Sequence, residues 1–469
     1  MPDAKAALFL FEPPDMRLST KVLITAAALV AGGAGIYAFA FYLFPPPAVR
    51  DRQAAAAAPP ASSASPAGPS VAELYDACVR GAWPTVKDAD VRAGACSKAL
   101  QTRQLKPAEI ALARLTRGIA RTALGDRALA AEDYSETLKH YDGVIDPRNP
   151  DALNLYRRAT SLHAMGETDR ALSDYNDAIR IDPSNSLAFL GRGVLLATRK
   201  RAYNRAIEDF DKVLVIQPDN VDALIARGNA YSQLGDNGRA LADLDRAISL
   251  APDNAQAYVV RGLANNRRGE KRLAMQDYEA ALKYAPRYPQ ALANRAALYS
   301  EERKYDAAIR DLDESIASDA DNPVAYYNRG YAHFAKQEYD KALADYGAAI
   351  KLEPDMGLAY NNRCLVRAIT GKDLVAGLQD CDRAQKLMPL NLDVRDTRGF
   401  IYLKLGDPRL AVNEYSQALD VDPNRPLALY GRGIARIAIG ETRDGEADKG
   451  AALTLDPEVA DQFAIYGLK

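Results

Sequence analysis

Along residues 323–356, PVAYYNRGYAHFAKQEYDKALADYGAAIKLEPDM, apolar and small positions recur at helical spacing in two blocks separated by a polar break. Tyr326, Arg329, Gly330 and His333 stand at i, i+3, i+4 and i+7 of the first block, and Ala342, Tyr346, Ala349 and Ile350 share one face of the second. The spacing predicts two short amphipathic helices joined by a turn and stopped at Pro354, because proline cannot continue a helix interior. One such hairpin cannot bury its own apolar faces, so copies must stack.

Copies are present. The closing proline returns at Pro183, Pro218, Pro252, Pro286, Pro354, Pro389, Pro423 and Pro457, with Ala320 in the slot once, at separations of 34 or 35 residues. A second ladder runs through the first helices: Arg117, Arg157, Arg192, Arg227, Arg261, Arg295, Arg329, Arg363, Arg398 and Arg432, seven of the ten followed by Gly. An acidic residue lies 16 or 17 positions beyond each: Asp133, Asp174, Asp209, Asp243, Asp277, Asp311, Asp345, Asp380, Glu414 and Asp448. The chain therefore holds about ten hairpins.

The motifs Y-N-R-G (Tyr327 to Gly330), G-D-x-x-x-A (Gly235 to Ala240) and D-P (Asp422, Pro423), at this period, resemble the tetratricopeptide repeat family over roughly residues 109 to 457. The resemblance implies an all-α, right-handed solenoid that acts as a binding scaffold, with extended peptides held on an inner surface made mainly by first helices. The common family pattern has an apolar residue where this chain has arginine. The arginines read either as a basic inner track for an anionic ligand or as structural ion pairs, Arg329 with Asp345, Arg261 with Asp277 and Arg295 with Asp311. Ten acids matching ten arginines favour the pairs, since a partly buried guanidinium demands a partner.

Composition adds limits rather than a function. A formal charge of -2 over 469 residues lacks the basic footprint of nucleic-acid binding. Residues 1–21 carry Lys5, Arg17 and Lys21, and Met16 offers a second start. Val22 to Phe44 then supplies 23 residues without a charge, about 35 Å of helix, enough for a bilayer core. A cleaved secretory signal is the alternative, but the aromatics Tyr37 to Phe44 and Pro45 to Pro47 at its far end favour an anchor. Residues 45–70 are a Pro, Ala and Ser linker without apolar periodicity, expected to be disordered. The expected order is thus flank 1–21, transmembrane helix 22–44, linker 45–70, a degenerate hairpin 71–108, solenoid 109–456 and a capping helix 457–469 bearing Val459, Phe463, Ile465, Tyr466 and Leu468.

Four cysteines form two pairs, Cys78 with Cys96 and Cys364 with Cys381, 18 and 17 residues apart. Cys364 takes the small-residue slot of a first helix and Cys381 the slot that Tyr346 and Tyr415 fill elsewhere, so the pair faces across a hairpin. Disulfides in an oxidising compartment fit this spacing, each stabilising by about 3 kcal/mol; buried free thiols are the alternative. No CxxC motif supports a metal or redox site.

Positions two before and two after each arginine share one face. The most ligand-like patch there is Tyr327, Tyr331 and Phe334 with Asn361 and Leu365 of the next hairpin, where flat aromatics and an amide would hold a peptide. Packing against the neighbouring hairpin is the competing reading. The histidines His140, His163 and His333 fall in different hairpins with no recurring acid, nucleophile or ligand spacing, and no P-loop, GxSxG or HExxH occurs. The sequence therefore predicts a non-enzymatic scaffold without cofactor, metal or small-molecule substrate, binding proteins or peptides. The basic flank and the cysteine pairs place its repeats on the periplasmic side of a bacterial inner membrane, in envelope assembly. A substrate-docking subunit of a separate enzyme, or a cytosol-facing adaptor, remains the alternative.

Overall fold

The computed structural model describes residues 69–79 and 86–468. The expected flank, membrane helix and nearly all of the linker lie outside the described residues. Among the described ones no helix is long and apolar enough to cross a membrane. They form 23 α-helices and no strand, a solenoid of helical hairpins. Two compact units divide it between Arg295 and Ala296: one holds the hairpins before that point with residues 317–320, the other holds residues 296–316 and the hairpins from Asp321 onward.

Local chemistry sets the ends of each helix. Asn322 caps Pro323–Ala335 by accepting from the amides of Val324 and Ala325, and Asn185, Asn220, Asn254 and Asn391 cap their own helices in the same way. Such a cap stabilises by about 1 kcal/mol. The second helix Tyr339–Leu352 stops one residue before Glu353-Pro354, because the proline ring bars the preceding residue from the helical region. The turn inside each hairpin needs one left-handed residue. Gly235 and Gly406 supply it with φ near 80°, whereas Gln337 and Arg303 occupy the same place at φ 60°.

Packing departs from the expected single apolar face. In the first helix Pro323–Ala335, nine of thirteen residues are buried, against four of fourteen in Tyr339–Leu352. The reason is position: first helices touch both their own second helix and the first helix of the next hairpin, as Gly357–Thr370 does with Leu392–Leu405. Second helices keep a narrow stripe, here Ala342, Asp345, Tyr346 and Ala349. The Arg-Gly pair follows from this contact, since a Cβ on Gly330 would sit 3.0 Å from the Tyr346 ring. Where Cys364 and Cys381 replace that glycine and tyrosine, their sulfurs lie 2.13 Å apart. Cys78 and Cys96 lie at 2.12 Å, linking the helices Val71–Val79 and Val86–Gln101.

The last helix, Val459–Ile465, covers the end of the second unit. Phe463 meets Phe400 edge-on and lies 5.1 Å from the Tyr430 ring, while Val459 and Tyr466 are buried. Ile465 instead points outward at 56% exposure. A helical face cannot bury both Phe463 and Ile465, which are separated by about 200° around the axis.

Gln337 carries a testable cost. A non-glycine residue in the left-handed region pays about 1–2 kcal/mol, partly offset by the lower unfolded-chain entropy of glutamine relative to glycine. Gln337→Gly should therefore stabilise the second unit by about 0.5–1 kcal/mol, read as a raised midpoint in urea unfolding. An unchanged or lowered midpoint would show that the turn is relaxed as it stands.

Candidate partner-binding site

The arginine ladder is a set of clamps. Arg329 donates from Nε and Nη2 to both carboxylate oxygens of Asp345, at 2.9 and 2.7 Å, and from Nη1 to Asp313 of the preceding second helix at 2.7 Å. Arg261 does the same with Asp277 and Asp245, Arg227 with Asp243 and Asp211, and Arg398 joins Glu414 to Asp382. Asp311 is buried on Tyr305–Ser318, and Arg295 is half-buried on Pro289–Glu301. With both acids engaged, a guanidinium such as that of Arg329 keeps no free fork for an anion. Its charged form is held firmly, first by the Asp345 hydrogen bonds against the pull of burial.

One rung was misplaced in the sequence. Arg158, not Arg157, grips Asp174, with Nε at 2.7 Å from one oxygen. The preceding second helix, Arg127–Val144, is 18 residues long rather than 14, so the period gives no register there, and an Arg-Arg pair offers two choices. A shift of one residue turns a side chain by about 100°, which takes Arg157 off the facing stripe. Where an arginine has a second acid, the signal in the sequence is a D-x-D pair, as in Asp209–Asp211, Asp243–Asp245, Asp311–Asp313 and Asp380–Asp382, whereas Arg192 takes the Asn176 amide there.

The candidate binding residues converge in the second unit. Tyr331, Phe334, Asn361 and Leu365 line one narrow cleft, joined by Asp396 and Leu427. Tyr327 does not line it. That side chain is 2% exposed, its ring lies tilted at 46° with its centre 5.8 Å from that of Tyr346, and its hydroxyl accepts from Asn362 Nδ2 at 3.0 Å. It meets the cleft through Asn362, which is among the lining residues.

The floor of the cleft is polar and incompletely paired. Asn361 is 1% exposed and Asp396 5%, and in each the Oδ1 atom has no hydrogen-bond partner. Arg425, at the start of Pro426–Ala438, holds the other Asp396 oxygen at 2.7 Å and also grips Asp393. Burial pushes the Asp396 carboxyl up to about 6 against the pull of Arg425, with Asp393 and Asp422 adding to the rise. Arg425 itself, which desolvation would discharge, is held charged by the two carboxylates. An unpaired buried polar atom costs about 1–3 kcal/mol, so these two oxygens leave acceptor capacity on the floor that a donor can fill.

The remaining residues with possible chemistry are dispersed. His333 Nδ1 meets Glu338 at 2.8 Å, His163 is buried with its protonation suppressed by desolvation, and His140 lies edge-on to Tyr141. Among the described residues no cluster of His, Cys, Asp or Glu could hold a metal ion.

Two measurements check this geometry. Arg329→Ala leaves Asp345 and Asp313 without their shared cation and should destabilise the second unit by about 3 kcal/mol in urea unfolding. Parent-like unfolding would show the clamp contributes nothing. For Asp396, the fold disfavours the ionised form: that penalty is present in full above pH 6 and is relieved as pH falls toward the ordinary carboxyl value of 3.8. Carbon-detected NMR of the Asp396 carboxyl should show a midpoint about 6, and one near 4 would contradict the buried setting.

Sequence profiles of the tetratricopeptide repeat family match residues 156–221, 195–265, 255–288, 323–356 and 398–458. Among curated protein sequences, none matches. Solved structures with a similar fold include the APC/C hetero-tetramer Cut9-Hcn1, at 14% identity over 82% of this chain and 89% of that one, TM-score 0.48. Another is a tetratricopeptide repeat protein from Parabacteroides merdae, at 20% identity over 54% and 97%, TM-score 0.42. A third is pilF of Pseudomonas aeruginosa, at 19% identity over 44% and 94%, TM-score 0.42. The all-helical hairpins, their period and the profile matches agree that residues 156–288, 323–356 and 398–458 carry tetratricopeptide repeats.

Proposed function

We propose that the protein is a scaffold that holds a segment of a partner protein in the cleft of its second unit, anchored through residues 22–44 in a bacterial inner membrane with its repeats in the periplasm. Tetratricopeptide repeats generally mediate protein-protein interaction. The observation that carries the reading here is the meeting of Tyr331, Phe334, Asn361 and Leu365 around one cleft whose floor keeps unpaired polar atoms. Aromatic walls supply contact area at low entropy cost, and an amide beside them can take a peptide group. The anchor rests on the uncharged stretch from Val22 to Phe44, and the periplasmic side on the two cysteine pairs, because disulfides persist outside the reducing cytosol. A role in envelope assembly follows from that placement.

Affinity capture from cross-linked membranes tests both parts. The parent chain should recover one recurring partner, and Tyr331→Ala should reduce that recovery about tenfold or more, the loss expected of an interface anchor, with helical content unchanged. Equal recovery would remove the cleft from the account. A membrane-impermeant thiol reagent should label a cysteine introduced in the linker of intact, outer-membrane-permeabilised cells. Labelling only after lysis would move the repeats to the cytosol.

A further inference from the structure

The cleft is selective in the kind of group it leaves unanswered. Asn361 Oδ1 and Asp396 Oδ1 are oxygen acceptors without partners. Charge points the same way. Asp393 and Asp396 face a single cation, Arg425, so one negative charge remains uncompensated, and Asp422 adds to the same field. An ordinary bidentate arginine has no purchase, since Arg425 already holds one Asp396 oxygen and Asp393. What fits one free carboxylate oxygen and one amide oxygen is a compact donor with a positive charge. Above them the walls are Tyr331, Phe334, Leu365 and Leu427, suited to a short aliphatic stem.

We propose that this cleft reads a lysine: it takes one lysine side chain from an extended segment of the partner, the stem along the aromatic and leucine walls and the ammonium on Asn361 and Asp396. This assignment rests on the scaffold reading and narrows it. The ammonium supplies three donors and no acceptor, which matches a floor whose unpaired side-chain oxygens accept. Nothing covalent happens; the group is held by charge and hydrogen bonds.

The test uses the full chain in detergent micelles at pH 7.5 with two small probes, N-acetyl-lysine N-methylamide and its norleucine counterpart, which lacks only the amine. Saturation-transfer NMR should give the lysine probe at least a tenfold lower Kd. In Asp396→Asn that advantage should fall to twofold or less, and Asn361→Ala should reduce it as well, which keeps the assignment testable if the first variant does not fold. Equal binding of the two probes overturns the proposal, the unpaired atoms then being served by water alone. A lysine preference that survives in both variants overturns it too, because the probe would then be held by acidic surface elsewhere. Either failure leaves the scaffold reading to stand or fall on the Tyr331→Ala cross-linking, which does not depend on lysine.

Discussion

The structure depends on a guanidinium that belongs to two hairpins at once. Arg227, Arg261, Arg329 and Arg398 sit on first helices, where burial on most sides would be costly for a lone cation, and meet acids on the second helices before and after them, while Arg192 meets an acid after and the Asn176 amide before. The pair within a hairpin orients its two helices. The bond to the preceding hairpin fixes the step from one to the next. Charge thus does here what an apolar contact does in the common repeat, with the added demand that an arginine and its facing acid be present together.

That demand explains why so much of the fold could be read from the chain. The arginine and acid ladders, the closing prolines and the small residue after the arginine are geometric necessities of one contact, so they recur at its period. The reading lapsed where the period did. The longer helix Arg127–Val144 left Arg157 and Arg158 equivalent in sequence, and only the facing carboxylate of Asp174 separates them in space. First helices were legible as helices but not as elements buried on several sides, because burial by a neighbouring copy leaves no two-sided polar pattern.

The cleft was half legible. Tyr331, Phe334, Asn361 and Leu365 share a face in the sequence, and they meet in space. Tyr327 shares that face as well, yet it turns inward against the tilted ring of Tyr346, a distinction that spacing along a helix does not carry. The charged floor went unrecognised because Arg425 comes from the next hairpin. Its mark in the sequence is a departure from pattern: the slot before a first helix holds a capping asparagine at Asn185, Asn220, Asn254, Asn322 and Asn391, and an arginine here. A side chain that gives up capping its own helix has been recruited elsewhere, in this case to Asp396 and Asp393.

The clamp also governs how a chain of this kind can change its length. Because the facing acid lies 16 or 17 residues beyond its arginine, duplication or loss of one whole period carries a cation and its carboxylate together. A cut of any other size strands a cation or a carboxylate in the interior of the stack. Growth and shrinkage are in this way quantised by electrostatics, and the number of hairpins becomes the variable most easily altered without cost to the rest.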